Sequence, residues 1–160
     1  MRIEAVVDIT ADDGAKIVAE AKSWKGTSYK SVGAGSIKGE SGDCSGSTWR
    51  IYEKVGYVYA FQSTAAFPGY NDTSKKFREL AKAEKSQEGD LLYWNGHMAV
   101  YSSFASDTDN AITPRMKGEV HFKQINDMWT ATHPGGPPYQ PHKISWFKGG
   151  AAPRIFRFQK

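Results

Sequence analysis

The chain has 160 residues, 39% of them apolar and 13% aromatic, enough to bury one substantial core and too few for two, so it is read as a single domain over residues 1–160. A charged fraction of 24%, with aromatics spread from Trp24 to Phe158, excludes a disordered or fibrous chain, and no stretch nears the roughly 20 apolar residues that span a bilayer. The net charge is +4, and the lone cysteine, Cys44, excludes an internal disulfide and leaves a packed thiol, a reactive thiol or a single metal ligand.

Residues 1–24 carry Asp8, Asp12, Asp13 and Glu20 where a signal peptide needs an unbroken apolar run, so export by the general secretory route is not expected. Thr10-Ala-Asp-Asp starts a predicted helix that runs to about Trp24, with Ile17, Val18 and Ala21 at helical spacing. From Gly26 to Gly46 the chain turns small and polar, a loop with few side chains to bury. Trp49, Tyr52 and Val55 then recur three apart and Gly56 follows as a terminator, which predicts a helix over 45–55 with Cys44 at its N-terminus. A further helix is predicted from Thr73 to Ala83, with Phe77, Leu80 and Ala81 on one side and a lysine and arginine face opposite.

Beyond it the pattern predicts strands at Asp90–Trp94, His97–Ser102, Met128–His133, Ile144–Phe147 and Arg154–Phe158. Residues 103–127 read as a polar insertion with a short hairpin around Val120–Phe122. Helices first and strands second make the class α+β. At the C-terminal end Lys143, Lys148, Arg154, Arg157 and Lys160 have no acid near them in sequence, and read either as a solvated face or as a patch for polyanions.

A cysteine at a helix N-terminus sits among unpaired backbone amides, which favour thiolate and would lower its pKa. The flanks Gly42-Asp43-Cys44-Ser45-Gly46 are small or polar, leaving room for a substrate backbone and for the Cys44 amide to serve an oxyanion. His97 opens an apolar strand after Trp94-Asn-Gly, a rigid mount for a general base. No C-x-x-C, H-E-x-x-H or phosphate-cradling glycine motif appears, so no metal and no cofactor are expected.

These residues resemble the NlpC/P60 family of cysteine peptidases that cut cell-wall peptides. The matching elements run in order over residues 12–102: Ser23-Trp-Lys-Gly-Thr-Ser-Tyr29, a glycine loop, Asp43-Cys44-Ser45-Gly46 opening a helix, Glu88-Gly-Asp-Leu-Leu-Tyr-Trp94, and Gly96-His97-Met-Ala-Val-Tyr101. The resemblance implies a papain-like α+β core with the cysteine helix packed on an antiparallel sheet. It implies that Cys44 is the nucleophile, that His97 takes and returns the proton, and that a polar residue at the end of the next strand orients the imidazole. His133, ending Met128-Trp-Thr-Ala-Thr-His133, is the choice for that role, although residues 98–132 intervene, a longer gap than the family's; His121 is the alternative, and His142 reads as a surface residue. Tyr29, Asp43 and Ser45 match positions that face the cleft and are expected to contact substrate, with Asp43 equally able to cap the helix.

The implied activity is hydrolysis of an amide in the stem peptide of peptidoglycan, between D-glutamate and the diamino acid, by a Cys-His-His mechanism without metal. The expected setting is an antibacterial toxin made in the cytoplasm and delivered by a specialised apparatus such as the type VI secretion system to a target periplasm, with a cognate immunity protein as partner. Neither nucleic acid nor membrane insertion is expected. An acyltransferase or deamidase acting on a protein, or a phage-type lysis enzyme, are the alternatives on the same core.

Overall fold

Thr10 opens the first helix, α1 (Ala11–Ser23), through a reciprocal cap in which its hydroxyl accepts from the Asp13 amide and the Asp13 carboxylate accepts from the Thr10 amide. The architecture is that of a computed structural model describing residues 6–103, 127–131, 138–142 and 144–160; residues 104–126 and 132–137, with His121, His133 and the hairpin expected at 120–122, lie outside them. Helix α1 buries Gly14, Ile17 and Ala21, one stripe at helical spacing. Gly14 is required there, because a Cβ on it would lie 1.8 Å from the Glu88 carbonyl oxygen.

Two short parallel strands, β1 (Ser28–Tyr29) and β2 (Ser41–Gly42), bracket the glycine loop, and α2 (Cys44–Lys54) follows directly. Its core face is Thr48, Ile51 and Tyr52, spaced three and four apart, rather than the expected Trp49 and Val55, which pack at the margin of the core. Gly56 has the positive φ of +93° expected of a residue that ends a helix.

The helix expected at 73–83 is corrected: α3 spans Phe67–Ser74 and stops at Lys75, whose φ of 55° is left-handed, and Phe77–Glu79 is a strand, β3. The Asn71 side chain holds Phe77 in place of a further helical turn, accepting from its N–H at 2.9 Å and donating to its carbonyl at 3.0 Å. Phe77 then meets Tyr52, Tyr59, Phe67 and Phe158 edge-on at centroid distances of 5.2–5.4 Å. Such pairs add about 0.5–1.5 kcal/mol each beyond buried area, so tertiary packing outweighs the local helical spacing.

β3 joins a sheet with β4 (Leu91–Trp94), β5 (His97–Tyr101), β6 (Met128–Thr130), β7 (Gln140–His142) and β8 (Arg154–Phe158) in the order β3-β8-β4-β5-β6-β7, every neighbouring pair antiparallel. Strands β4 and β5 form a hairpin through Asn95-Gly96, with Gly96 at a φ of +87°. β4 is buried along its whole length because the sheet is covered on both faces. Leu91, Tyr93, Met98 and Val100 face the helices, while Leu92, Trp94 and Ala99, with Ile155 of β8 beside them, face Ile144 and Phe147. The strand expected at 144–147 is therefore a correction too: Ile144–Gly150 is a 3₁₀ helix, whose three-residue turn puts Ile144 and Phe147 on one side against the sheet. β7, at the sheet's end, has Pro141 at its centre, which an edge position tolerates and which hid it from strand patterning.

Of the C-terminal cations, Lys143 and the Lys148 side chain lie outside what is described, and the other three are paired rather than free. Arg154 binds Glu79, Arg157 binds Asp90 and Lys160 binds Asp13, acids that folding brings from elsewhere in the chain. Among the described residues no helix is long and apolar enough to cross a membrane.

Candidate active site

The glycine loop is organised around one carboxylate. Asp43 caps α2 by accepting from the Gly46 amide at 2.7 Å through Oδ1, while Oδ2 accepts from the Gly33 amide at 2.7 Å. The Ser45 hydroxyl turns back onto Oδ1 at 3.3 Å. Of the two roles open to Asp43 the structure displays the capping one, and Ser45 is spent on the same carboxylate. Gly46 lets the loop close: a Cβ there would fall 2.1 Å from Ser36 Oγ and 2.2 Å from the Gly33 carbonyl oxygen.

Cys44 is the first residue of the capped helix and is 6% exposed. Burial pushes its thiol up to about 11, aided by the charge of Asp43 and opposed by backbone amides of Met98, Ser45 and Cys44 itself. The lowered pKa expected from the helix N-terminus is thus overturned: withdrawing the sulfur from water outweighs the amides around it. The Met98 amide is the telling neighbour, since it places the sulfur against the start of β5, one residue from His97. With its pKa held that high by burial, the resting sulfur is a neutral thiol.

His97 is 2% exposed, its ring tilted by 31° against Phe147 at a centroid distance of 4.2 Å and flanked by Trp94 at 5.7 Å. Its Nε2 lies 3.1 Å from the hydroxyl of Thr130 on β6. Tyr29, half-buried on β1, is close enough to Cys44 and Asp43 for their charges, after burial, to raise its phenol pKa. The fold therefore gathers Tyr29, Asp43, Cys44, Ser45 and His97 around one helix end and one hairpin. His142 is half-buried on β7 rather than a surface residue. Thr130, Phe147 and Trp94 were not among the sequence candidates; a period of two from Met128 was the signal that could have found Thr130. Among the described residues no group of three or more His, Cys, Asp or Glu is placed to hold a metal ion.

No protein-family model matches the chain, and no curated protein sequence matches it. A solved structure from Staphylococcus aureus subsp. aureus Mu50, described as similar to a lipoprotein of the NLP/P60 family, aligns with a TM-score of 0.56 at 19% identity, covering 96% of this chain. The chain has an NlpC/P60-like fold. It spans 44% of the length of that staphylococcal protein. In this NlpC/P60-like fold the mixed helical and antiparallel architecture expected from sequence is present, with the cysteine helix α2 packed on the sheet at β5.

Proposed function

We propose that the chain is a cysteine amidase that hydrolyses an amide bond in the stem peptide of peptidoglycan, between D-glutamate and the diamino acid. The observation that carries the reading is the seat of Cys44: first residue of a capped helix, its sulfur against the amide of Met98, the residue that follows the buried His97 in β5 of a rigid hairpin. The NlpC/P60-like fold supports the same class.

In this mechanism His97 removes the Cys44 proton as Sγ attacks the amide carbonyl carbon, because a neutral thiol needs its base during attack rather than before it. The carbonyl electron pair moves onto oxygen, where the Cys44 amide and the Tyr29 hydroxyl can donate to it. The intermediate collapses to a thioester, and His97 delivers the proton to the departing amine. Water, deprotonated by His97, then attacks the thioester, releasing the new carboxyl group and returning the proton to sulfur.

Purified diaminopimelate-type peptidoglycan digested with wild-type protein and with Cys44→Ala tests the proposal, the fragments being resolved by chromatography and mass spectrometry. New wild-type products with a D-glutamate carboxyl terminus, absent from the variant, are the expected result. A folded wild type that yields no Cys44-dependent product from a wall preparation cut by a control hydrolase would refute it.

A further inference from the structure

A histidine ring buried to 2% exposure must place its nitrogens against protein groups, and the partner chosen decides which nitrogen can act as a base. Thr130 Oγ1 lies 3.1 Å from His97 Nε2, 2.8 Å from the Met98 carbonyl oxygen and 3.3 Å from the Ala131 carbonyl oxygen. A hydroxyl has one proton, and a carbonyl oxygen can only accept. The proton therefore goes to Met98, the nearer acceptor, and the oxygen's lone pairs are left to accept Nε2–H of the imidazole. This order of donors puts the ring proton on Nε2 and the basic lone pair on Nδ1.

We propose that Thr130 is a positioning residue of His97, fixing the tautomer that the thiol chemistry needs. The inference rests on the reading of Cys44 and His97 as the reacting pair. The same hydroxyl grips both parts of the site: it holds the imidazole, and it holds the carbonyl of Met98, whose own N–H lies against the Cys44 sulfur. Thr130 is itself 1% exposed and sits in β6, two strands from the sheet's β4 and directly beside β5, so its hydroxyl is held by the sheet and not by a loop. The adjoining Phe147 and Trp94 rings restrict the movement of the imidazole but are blind to which nitrogen bears hydrogen; the hydroxyl acts on that choice.

Three proteins test this: wild type, Thr130→Val, which keeps the shape and removes the hydroxyl, and Thr130→Ser, which restores it. Two readouts are needed, steady-state kinetics on a stem-peptide substrate and the nitrogen-15 spectrum of the His97 ring. Thr130→Val is expected to lower kcat by about 10- to 100-fold while KM stays within about threefold, as the loss of one buried hydrogen bond to a catalytic group predicts. Thr130→Ser should recover most of that loss. The wild-type ring should be protonated at Nε2, and the valine ring should show a mixture of tautomers. A wild-type spectrum with the proton on Nδ1, or a valine variant with wild-type kcat and an unchanged ring spectrum, would overturn the proposal. The spectrum requires no substrate and no folded valine variant, so it judges Thr130 even where Cys44-dependent cleavage fails and refutes the amidase reading instead.

Discussion

The neutral resting thiol makes a prediction opposite to that of a preformed thiolate and imidazolium pair. Moving the Cys44 pKa from 9.0 to about 11 leaves, at any pH well below 9, about one-hundredth of the thiolate of an unshifted thiol, since the difference of two units is a factor of 10². At 6% exposure the sulfur is also hidden from reagents, which lowers its rate further. Alkylation of the folded protein by iodoacetamide at pH 7.5, followed by mass spectrometry alongside a free cysteine peptide, should therefore run at least about 100-fold slower than the peptide. The rate should keep rising up to pH 10. His97→Ala should change it by less than about threefold, because a base that acts only during attack does not activate the resting sulfur. The same variant should lose about 10²- to 10⁴-fold in kcat/KM on substrate, the usual worth of a positioned general base. Labelling faster than the peptide at neutral pH, with an inflection below pH 8 that His97→Ala abolishes, would show a thiolate at rest and refute the argument.

Asp43→Ala deletes both the α2 cap and the tie to Gly33, and a loss of about 2–4 kcal/mol in denaturant unfolding is expected; a change within 0.5 kcal/mol would show that the loop closes without it. Gly46→Ala and Gly14→Ala each drive a Cβ onto backbone oxygen, at 2.2 Å and 1.8 Å respectively, and should lower the melting temperature steeply, whereas alanine at Gly69, where a Cβ meets nothing within 4 Å, should not. Arg157→Met strands Asp90, whose side chain is fully buried and whose pKa burial already raises despite the guanidinium. The expected cost near pH 7 is about 3–5 kcal/mol. A carboxyl whose folded pKa lies above its unfolded one binds more protons when folded, so stability falls as pH rises through that interval; the variant's deficit should shrink as pH is lowered from 7 towards 4, and a pH-independent deficit would contradict this.

What the sequence disclosed and what it concealed divide along the range of the interactions. The caps of α1 and α2, the Asn95-Gly96 turn and the left-handed Gly56 are settled within a few residues, and each was legible. Phe77, Leu80 and Ala81 fit a helix as well as a strand; the choice was made by Phe158 and Tyr52, far away in the chain, and by Asn71 reaching across Lys75. The same holds for the cations at 154, 157 and 160, whose partners Glu79, Asp90 and Asp13 are neighbours only after β8 has inserted between β3 and β4. Thr130 escaped notice for a chemical reason. A search for groups that titrate or attack passes over a threonine, although a neutral hydroxyl can direct an imidazole by accepting one N–H.

The motif residues also bear on why this constellation is compact enough to read as a string. Asp43 caps the helix, the Ser45 hydroxyl donates back to it, and Gly46 admits the Ser36 hydroxyl and the Gly33 carbonyl, so three of the four letters of Asp43-Cys44-Ser45-Gly46 serve the closure of the loop and the fourth carries the sulfur. In Glu88-Gly89-Asp90 all three are structural: Glu88 accepts from the Ser102 hydroxyl and the Ser103 amide, Gly89 lies against Gly14 with a φ of +82°, and Asp90 binds Arg157. Packing that close tolerates few other residues, and it presses α1 and α2 onto the β4–β5 hairpin, where the Cys44 sulfur meets the Met98 amide. The burial that raises the Cys44 pKa is a consequence of that packing, so the seat that holds Cys44 firmly also keeps it protonated, and in the proposed mechanism the work of activating it falls to His97 and to whatever holds His97 in place.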